Sequence, residues 1–138
     1  MSYDLYAKNK DIPSLRIGAF SWPIILEETG AGYVLQYGKG FTPASYVYTP
    51  RNGSPVSNDK FDVTITETKA MVLCCKGFVK VKRFVNKEWD AMSPEDRKQS
   101  EKLNEVMKVY TPYTGEQFLE KIEQFIEFAE KSGGFRIS

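Results

Sequence analysis

The sequence contains no histidine. That removes the side chain most used for acid and base work near neutral pH and the commonest transition-metal ligand, and it rules Ser-His-Asp and Cys-His schemes out of a single chain. Cysteine is almost as scarce. The two thiols, Cys74 and Cys75, are neighbours, and two thiols cannot complete a four-ligand zinc site unless carboxylates or a partner supply the rest. Met71, Val72, Leu73 and Phe78 lie close to them in sequence, a setting in which free cysteine packs as a small hydrophobe. Redox sensing is the competing reading, because Lys76 and Lys80 would lower a thiol pKa. Long apolar runs are missing as well: nothing approaches the ~20 residues needed to cross a bilayer, and the opening MSYDLYAKNKD lacks the zones of a signal peptide. These absences lead to the expectation of a cytoplasmic protein with no metal, no cofactor and no membrane segment, acting as a binder and not as an enzyme.

What is present describes an ordinary domain. The chain has 138 residues, 41% of them hydrophobic and 27% charged. A chain of that length buries roughly 68% of its unfolded surface, enough for a core without a metal or disulfide staple. The balance of 19 basic against 18 acidic residues hides an asymmetry. Lys76 to Lys87 holds five basic residues (Lys76, Lys80, Lys82, Arg83, Lys87) and no acidic one, whereas the stretches Glu88–Lys108 and Val109–Ser138 are net acidic. Neutralisation within the molecule explains this at least as well as a nucleic-acid ligand does, since a phosphate-binding domain usually has a clear positive excess overall. A helix whose lysines solvate its outer face is favoured over contact of the belt with a nucleic-acid backbone.

Local patterning predicts an α+β fold in one domain, residues 1–138: a small antiparallel sheet from N-terminal strands and a C-terminal strand, packed by three to four helices from the second half. Tyr3–Lys8 and Leu15–Ile17 read as strands. Ser21 as a cap, Pro23 in the first turn and Gly30 as terminator predict a short helix over Trp22–Glu28. Gly30 to Asp62 is turn-rich, with brief strands expected at Tyr33–Tyr37 and Tyr46–Tyr48 and a turn at Asn52-Gly53. Thr64 and Glu67 have capping-box spacing, and Met71, Cys75, Phe78, Val81, Val85, Trp89 and Met92 recur every three or four residues as one helical stripe. A strand over Phe78–Val85 competes, since Gly77 weakens a helix by about 1 kcal/mol. Ser93-Pro94 starts a further helix to about Met107. The last helix is capped by Thr114 with Gln117, stapled by Tyr113 and Phe118, and carries the stripe Phe118, Ile122, Phe125, Ile126 and Ala129 opposite five glutamates. Gly133-Gly134 ends it ahead of a strand at Phe135–Ile137.

Three clusters invite chemistry. Gly30, Gly32, Gly38 and Gly40 suggest a phosphate loop, but five residues separate Gly32 from Gly38-Lys39 where the P-loop requires four. Asp59, Asp62, Glu67 and Lys69 suggest the carboxylate and lysine set of a metal-dependent nuclease, although Glu67 already has a capping duty. The third cluster is aromatic. Trp22, Tyr33, Tyr37, Phe41, Tyr46 and Tyr48 lie among glycine and serine, with Lys39 and Arg51 beside them, and tyrosine on adaptable loops suits a recognition surface. These eight residues are the expected site, either for a protein partner or, alternatively, for a small anionic ligand or nucleotide held between stacking rings. Rings that fill the core of a small sheet would have the same composition.

The opening Met1-Ser2-Tyr3-Asp4-Leu5 with Phe20-Ser21-Trp22-Pro23-Ile24-Ile25-Leu26, the middle Ser57-Asn58-Asp59 leading to Val63-Thr64, and the ending Ile122 to Ala129 through Gly133-Gly134-Phe135-Arg136-Ile137 together resemble a family of small, uncharacterised bacterial and phage proteins. The resemblance implies no activity or ligand. The turn-rich stretch from Gly38 to Pro55 and the basic belt depart from that pattern. The expected function is that of a non-enzymatic module that occupies a protein partner, as toxin-immunity or phage anti-defence proteins do.

Overall fold

Alternation along the strands decides which side of the sheet is covered. The computed structural model describes residues 2–37, 53–57, 60–99 and 115–138. Within them β1 (Ser2–Ala7), β2 (Leu15–Gly18), β3 (Phe61–Val63) and β4 (Phe135–Ile137) form a four-stranded sheet in the order β2-β1-β4-β3. All three pairings are antiparallel, with Tyr3 opposite Ile17, Leu5 opposite Ile137 and Val63 opposite Phe135. Every one of those side chains is buried on one face. The other face carries Asp4, Tyr6, Arg16, Asp62 and Arg136, and its ion pairs join directly opposed residues: Arg16 Nε to Asp4 Oδ1 at 2.9 Å, Arg136 Nε to Asp62 Oδ1 at 3.8 Å. This is the antiparallel solution in which one side meets the core and the other meets water.

Helices cover the apolar face. The helix α1 (Ser21–Thr29) is followed by α2 (Ala31–Val34), α3 (Ile65–Ala91) and α4 (Glu116–Ser132), and a further helical turn occupies 94–99. The α+β prediction and the pairing of the terminal strands hold. The covering layer, however, is not drawn from the second half alone: α1 and α2 contribute Trp22, Ile25, Leu26 and Ala31, and Leu35 follows them into the core. Tyr33–Tyr37 is not a strand. Gly30 leaves α1 in the left-handed conformation (φ 78°) and the chain restarts at once as α2, where Gly32 sits with its Cβ position 3.0 Å from Leu26 Cβ and from the Tyr37 ring. Only a residue without a side chain allows that approach. Tyr46–Tyr48 lies outside the described residues.

Capping chemistry sets both ends of α3. At α3, Thr64 Oγ1 accepts from Glu67 N at 3.1 Å while Glu67 Oε1 accepts from Thr64 N at 3.0 Å, the reciprocal box that the spacing predicts. At the far end, Arg97 donates to the carbonyls of Trp89 (3.1 Å) and Asp90 (2.8 Å), a cation on the negative end of the helix dipole. Two caps differ from expectation. Phe20, not Ser21, precedes α1, and Gly115 precedes α4, each without a side-chain cap; Tyr113 and Thr114 lie outside the described residues.

The competing strand over Phe78–Val85 does not form, because α3 runs unbroken through Gly77. That glycine has a helical φ and nothing within 4 Å of its Cβ position. Gly77→Ala is therefore expected to stabilise the protein by about 1 kcal/mol, read as a higher urea midpoint with unchanged slope.

One contiguous cluster forms the core. Its centre is a chain of rings: Trp22 to Phe125 at 5.4 Å, Phe125 to Phe135 at 5.7 Å and Phe135 to Phe128 at 5.8 Å, all tilted or edge-on. Thr68, Met71, Val72, Cys75 and Val79 pack α3 onto it. The expected stripe fails beyond that point: Val81 and Val85 are exposed and Trp89 and Met92 only half-buried, because the last twelve residues of α3, from Lys80 to Ala91, contribute nothing to the core.

Candidate functional site

The eight residues singled out as a recognition surface do not stay together. Trp22 is 0% exposed, and its indole Nε1 donates to the Pro55 carbonyl at 2.9 Å. It is a core residue, so its expected role as a stacking wall is corrected: a ring with no exposed surface cannot meet a ligand. Tyr33 and Tyr37 are half-buried on and just after α2. Burial, then Glu27, raises the Tyr37 hydroxyl above its ordinary pKa, which keeps it neutral. Lys39, Phe41, Tyr46, Tyr48 and Arg51 lie outside the described residues. Part of the neighbouring stretch is fastened down. Tyr3 Oη donates to Val56 O at 2.8 Å, so two buried aromatic donors hold Pro55 and Val56 against the core.

The other clusters resolve into structure. Gly30 and Gly32 shape the junction between α1 and α2, and Gly38 and Gly40 lie outside the described residues. Glu67 is held by its capping box, Asp62 faces Arg136, and Asp59 lies outside the described residues. Among the described residues no group of three acidic or thiol side chains comes together as metal ligands.

Cys75 is fully buried and Cys74 half-buried; neither is in a disulfide. Burial pushes the Cys75 thiol up to about 12, against a weaker opposing hydrogen bond with Thr29, and raises Cys74 as well. The nucleophilic thiolate is thereby suppressed. Because the folded pKa lies above the unfolded one, the stabilisation is complete below about pH 9 and is lost between there and about 12, at up to about 1.4 kcal/mol per pH unit. Cys75 is expected to resist iodoacetamide at pH 8 until urea unfolds the chain, and the alkaline loss of stability is expected to be smaller in Cys75→Ala.

Two of the five cations of the basic belt, Lys76 and Arg83, are neutralised across the α3–α4 seam. Arg83 bridges two of the glutamates of α4, with Nη2 to Glu116 Oε1 at 2.7 Å, Nη1 to Glu123 Oε2 at 3.0 Å and a second, shorter contact to Glu123 Oε1. Arg83 holds the Glu123 carboxyl below the usual carboxylate range. Lys76 Nζ reaches Glu130 at 3.3 Å, and Lys82 lies over the Phe78 ring. The Lys76–Glu130 and Arg83–Glu123 pairs line the open groove between the helices, whose walls include Val79 and Ile126. The groove is a zipped seam, in which every acid of α4 that enters an ion pair with α3 is already used.

The remaining candidate is a face of α3 of which the expected core stripe includes only Val81. Successive helical residues turn by about 100°, so Leu73, Gly77, Val81 and Phe84, spaced by four, four and three, fall opposite the side of α3 that Met71, Val72, Cys75 and Val79 bury. Leu73 is 72% exposed, Val81 58% and Phe84 65%. At its N-terminal end the stripe opens into a groove of about 370 Å³ beside Ile65, Val72 and Leu73. Lys69, Lys80 and Lys87 run along one edge, and all three are exposed. No ion pair among the described residues takes any of them. The sequence signal existed: α3 has more large apolar residues than one stripe can hold.

No helix among the described residues is long and apolar enough to cross a membrane. Set against family models, curated proteins and solved structures, the chain matches none of them.

Proposed function

We propose that the protein is a non-enzymatic binding module that works by occupying a protein partner, with the outer face of α3 as its contact surface. One observation carries this reading: Leu73, Val81 and Phe84 form a continuous apolar stripe on the side of α3 turned away from the core. Scattered exposed apolar residues need no explanation, but a contiguous one flanked by charge marks interaction surfaces. The suppressed thiols and the absence of imidazole support binding over chemistry. Occupation of this kind is what toxin-immunity and anti-defence proteins perform.

The test is a pull-down from the native host with the unaltered protein and with Leu73→Asp/Phe84→Asp, whose exposed positions leave the fold intact by circular dichroism. A stoichiometric partner recovered by the first and lost by the second is expected. Recovery of no partner under mild salt, or recovery that the double variant does not reduce, would sink the proposal.

A further inference from the structure

We infer that the partner presents an acidic amphipathic helix to this face, an inference that rests on the binding role proposed above and adds the chemistry of what binds. Two independent features of α3 point to it.

The first is Gly77. A glycine in mid-helix is costly, and no close approach among the described residues explains this one: beyond its own helix backbone, nothing lies within 4 Å of its Cβ position. It sits in the middle of the exposed stripe, one turn from both Leu73 and Val81. A gap flanked by large apolar side chains lets a second helix approach closely and seat its own side chains between them. A residue that breaks the local rule without an internal gain marks a functional position.

The second is charge. Lys69, Lys80 and Lys87 border the stripe on one edge and are exposed. The other edge carries Ala70, Cys74 and Val85, with Glu67, engaged in the capping box, near its start and Glu88 near its end. A partner helix with apolar residues in the stripe and carboxylates along the lysine edge would satisfy both. A second copy of this chain supplies the apolar residues but not the charge. In an antiparallel two-fold pairing each lysine row would face the other copy's row. In a parallel pairing the lysines would face Ala70, Cys74 and Val85, with acids only at the two ends, Glu67, which its capping box already holds, and Glu88. An anionic bilayer would be met better by an apolar face with cations on both edges than by this one-sided row.

The experiment uses the full chain and a fluorescein-labelled synthetic helix with leucine at heptad positions a and d and glutamate at e and g, compared with a twin carrying lysine at e and g. Fluorescence anisotropy at low salt is expected to give tighter binding of the acidic peptide by about tenfold or more, from three exposed charge pairs, with the gap shrinking as salt rises. The charge-reversed variant Lys69→Glu/Lys80→Glu/Lys87→Glu should invert the preference. Gly77→Gln should weaken both peptides at least about tenfold while melting no lower than the unaltered protein, because glutamine is the better helix former. Failure of the acidic peptide to bind, or equal binding of the twins, overturns the inference. So does Gly77-dependent flotation with phosphatidylserine vesicles, or a dimer in sedimentation that Gly77→Gln dissolves. If the native partner is captured through this face while the acidic peptide fails, the binding role stands and the charge assignment falls; if both fail, both fall.

Discussion

Trp22→Ala is expected to lower the stability of the folded state by about 3–5 kcal/mol, the range for deleting a large buried aromatic side chain. The indole is wholly enclosed, packs on Phe125 with ring centroids 5.4 Å apart, and donates to the Pro55 carbonyl at 2.9 Å. Removing it opens a cavity next to the central rings and strands an acceptor in a buried setting, and the two losses act together. Trp22→Phe keeps much of the apolar volume but not the donor, so its loss should be smaller, about 1–3 kcal/mol. Urea titration followed by far-ultraviolet circular dichroism separates the two variants. Small domains hold only about 5–15 kcal/mol in total, so the alanine variant should be partly unfolded at 37 °C. A loss below about 1 kcal/mol would return Trp22 to the surface role suggested by its aromatic neighbours in sequence.

Gly134→Ala is expected to cost about 3 kcal/mol, from backbone strain and collision together. Gly134 has φ 101°, where L residues rarely go, and an added Cβ would stand 3.0 Å from the Val63 carbonyl oxygen and 3.3 Å from Ile65 N. Both neighbours are backbone at the junction of β3 and α3, so neither can swing aside. The Gly134 carbonyl also accepts from Lys8 N at 2.9 Å, which links the turn to the end of β1. Gly133 provides an internal control. Its φ of 69° is also left-handed, but nothing lies within 4 Å of its Cβ position, so Gly133→Ala carries the conformational term alone and should cost about 1 kcal/mol. Equal losses at the two positions would mean that the approach of Gly134 to Val63 is not tight. The two midpoints measured in one urea series decide it.

The parts of the fold that were legible are those set by neighbours in the chain. The reciprocal bonds of Thr64 and Glu67 need only three residues of spacing. The left-handed exit at Gly133 needs only a residue without a Cβ, and the stripe of α4 is one amphipathic period with glutamates on its outer side. The strand β3 was missed because Phe61-Asp62-Val63 is too short to display a period; it exists because β4 offers it a hydrogen-bonding edge. Likewise α2 is a single turn that Gly30 and Gly32 make possible, in a stretch where tyrosines favour extended chain. The candidate site was less legible than the fold. Tyrosine-rich composition pointed to residues 33–51, while Val81 was assigned to the interior with Met71 and Cys75.

The residues alone determined that no imidazole chemistry is available, that the terminal strands alternate between a wet and a dry side, and that α3 has enough apolar surface for more than one contact. Tertiary structure decided which of those surfaces is already occupied. Periodicity states which side chains share a face; it does not state how far a neighbouring element extends to cover them. The described end of α4 and the short strands bury the side chains of α3 only as far as Val79, and Trp22 was drawn inward because its indole found a carbonyl to satisfy it inside. Burial depends on what arrives from distant parts of the chain, and that is why Trp22 went to the core while Phe84 stayed in water.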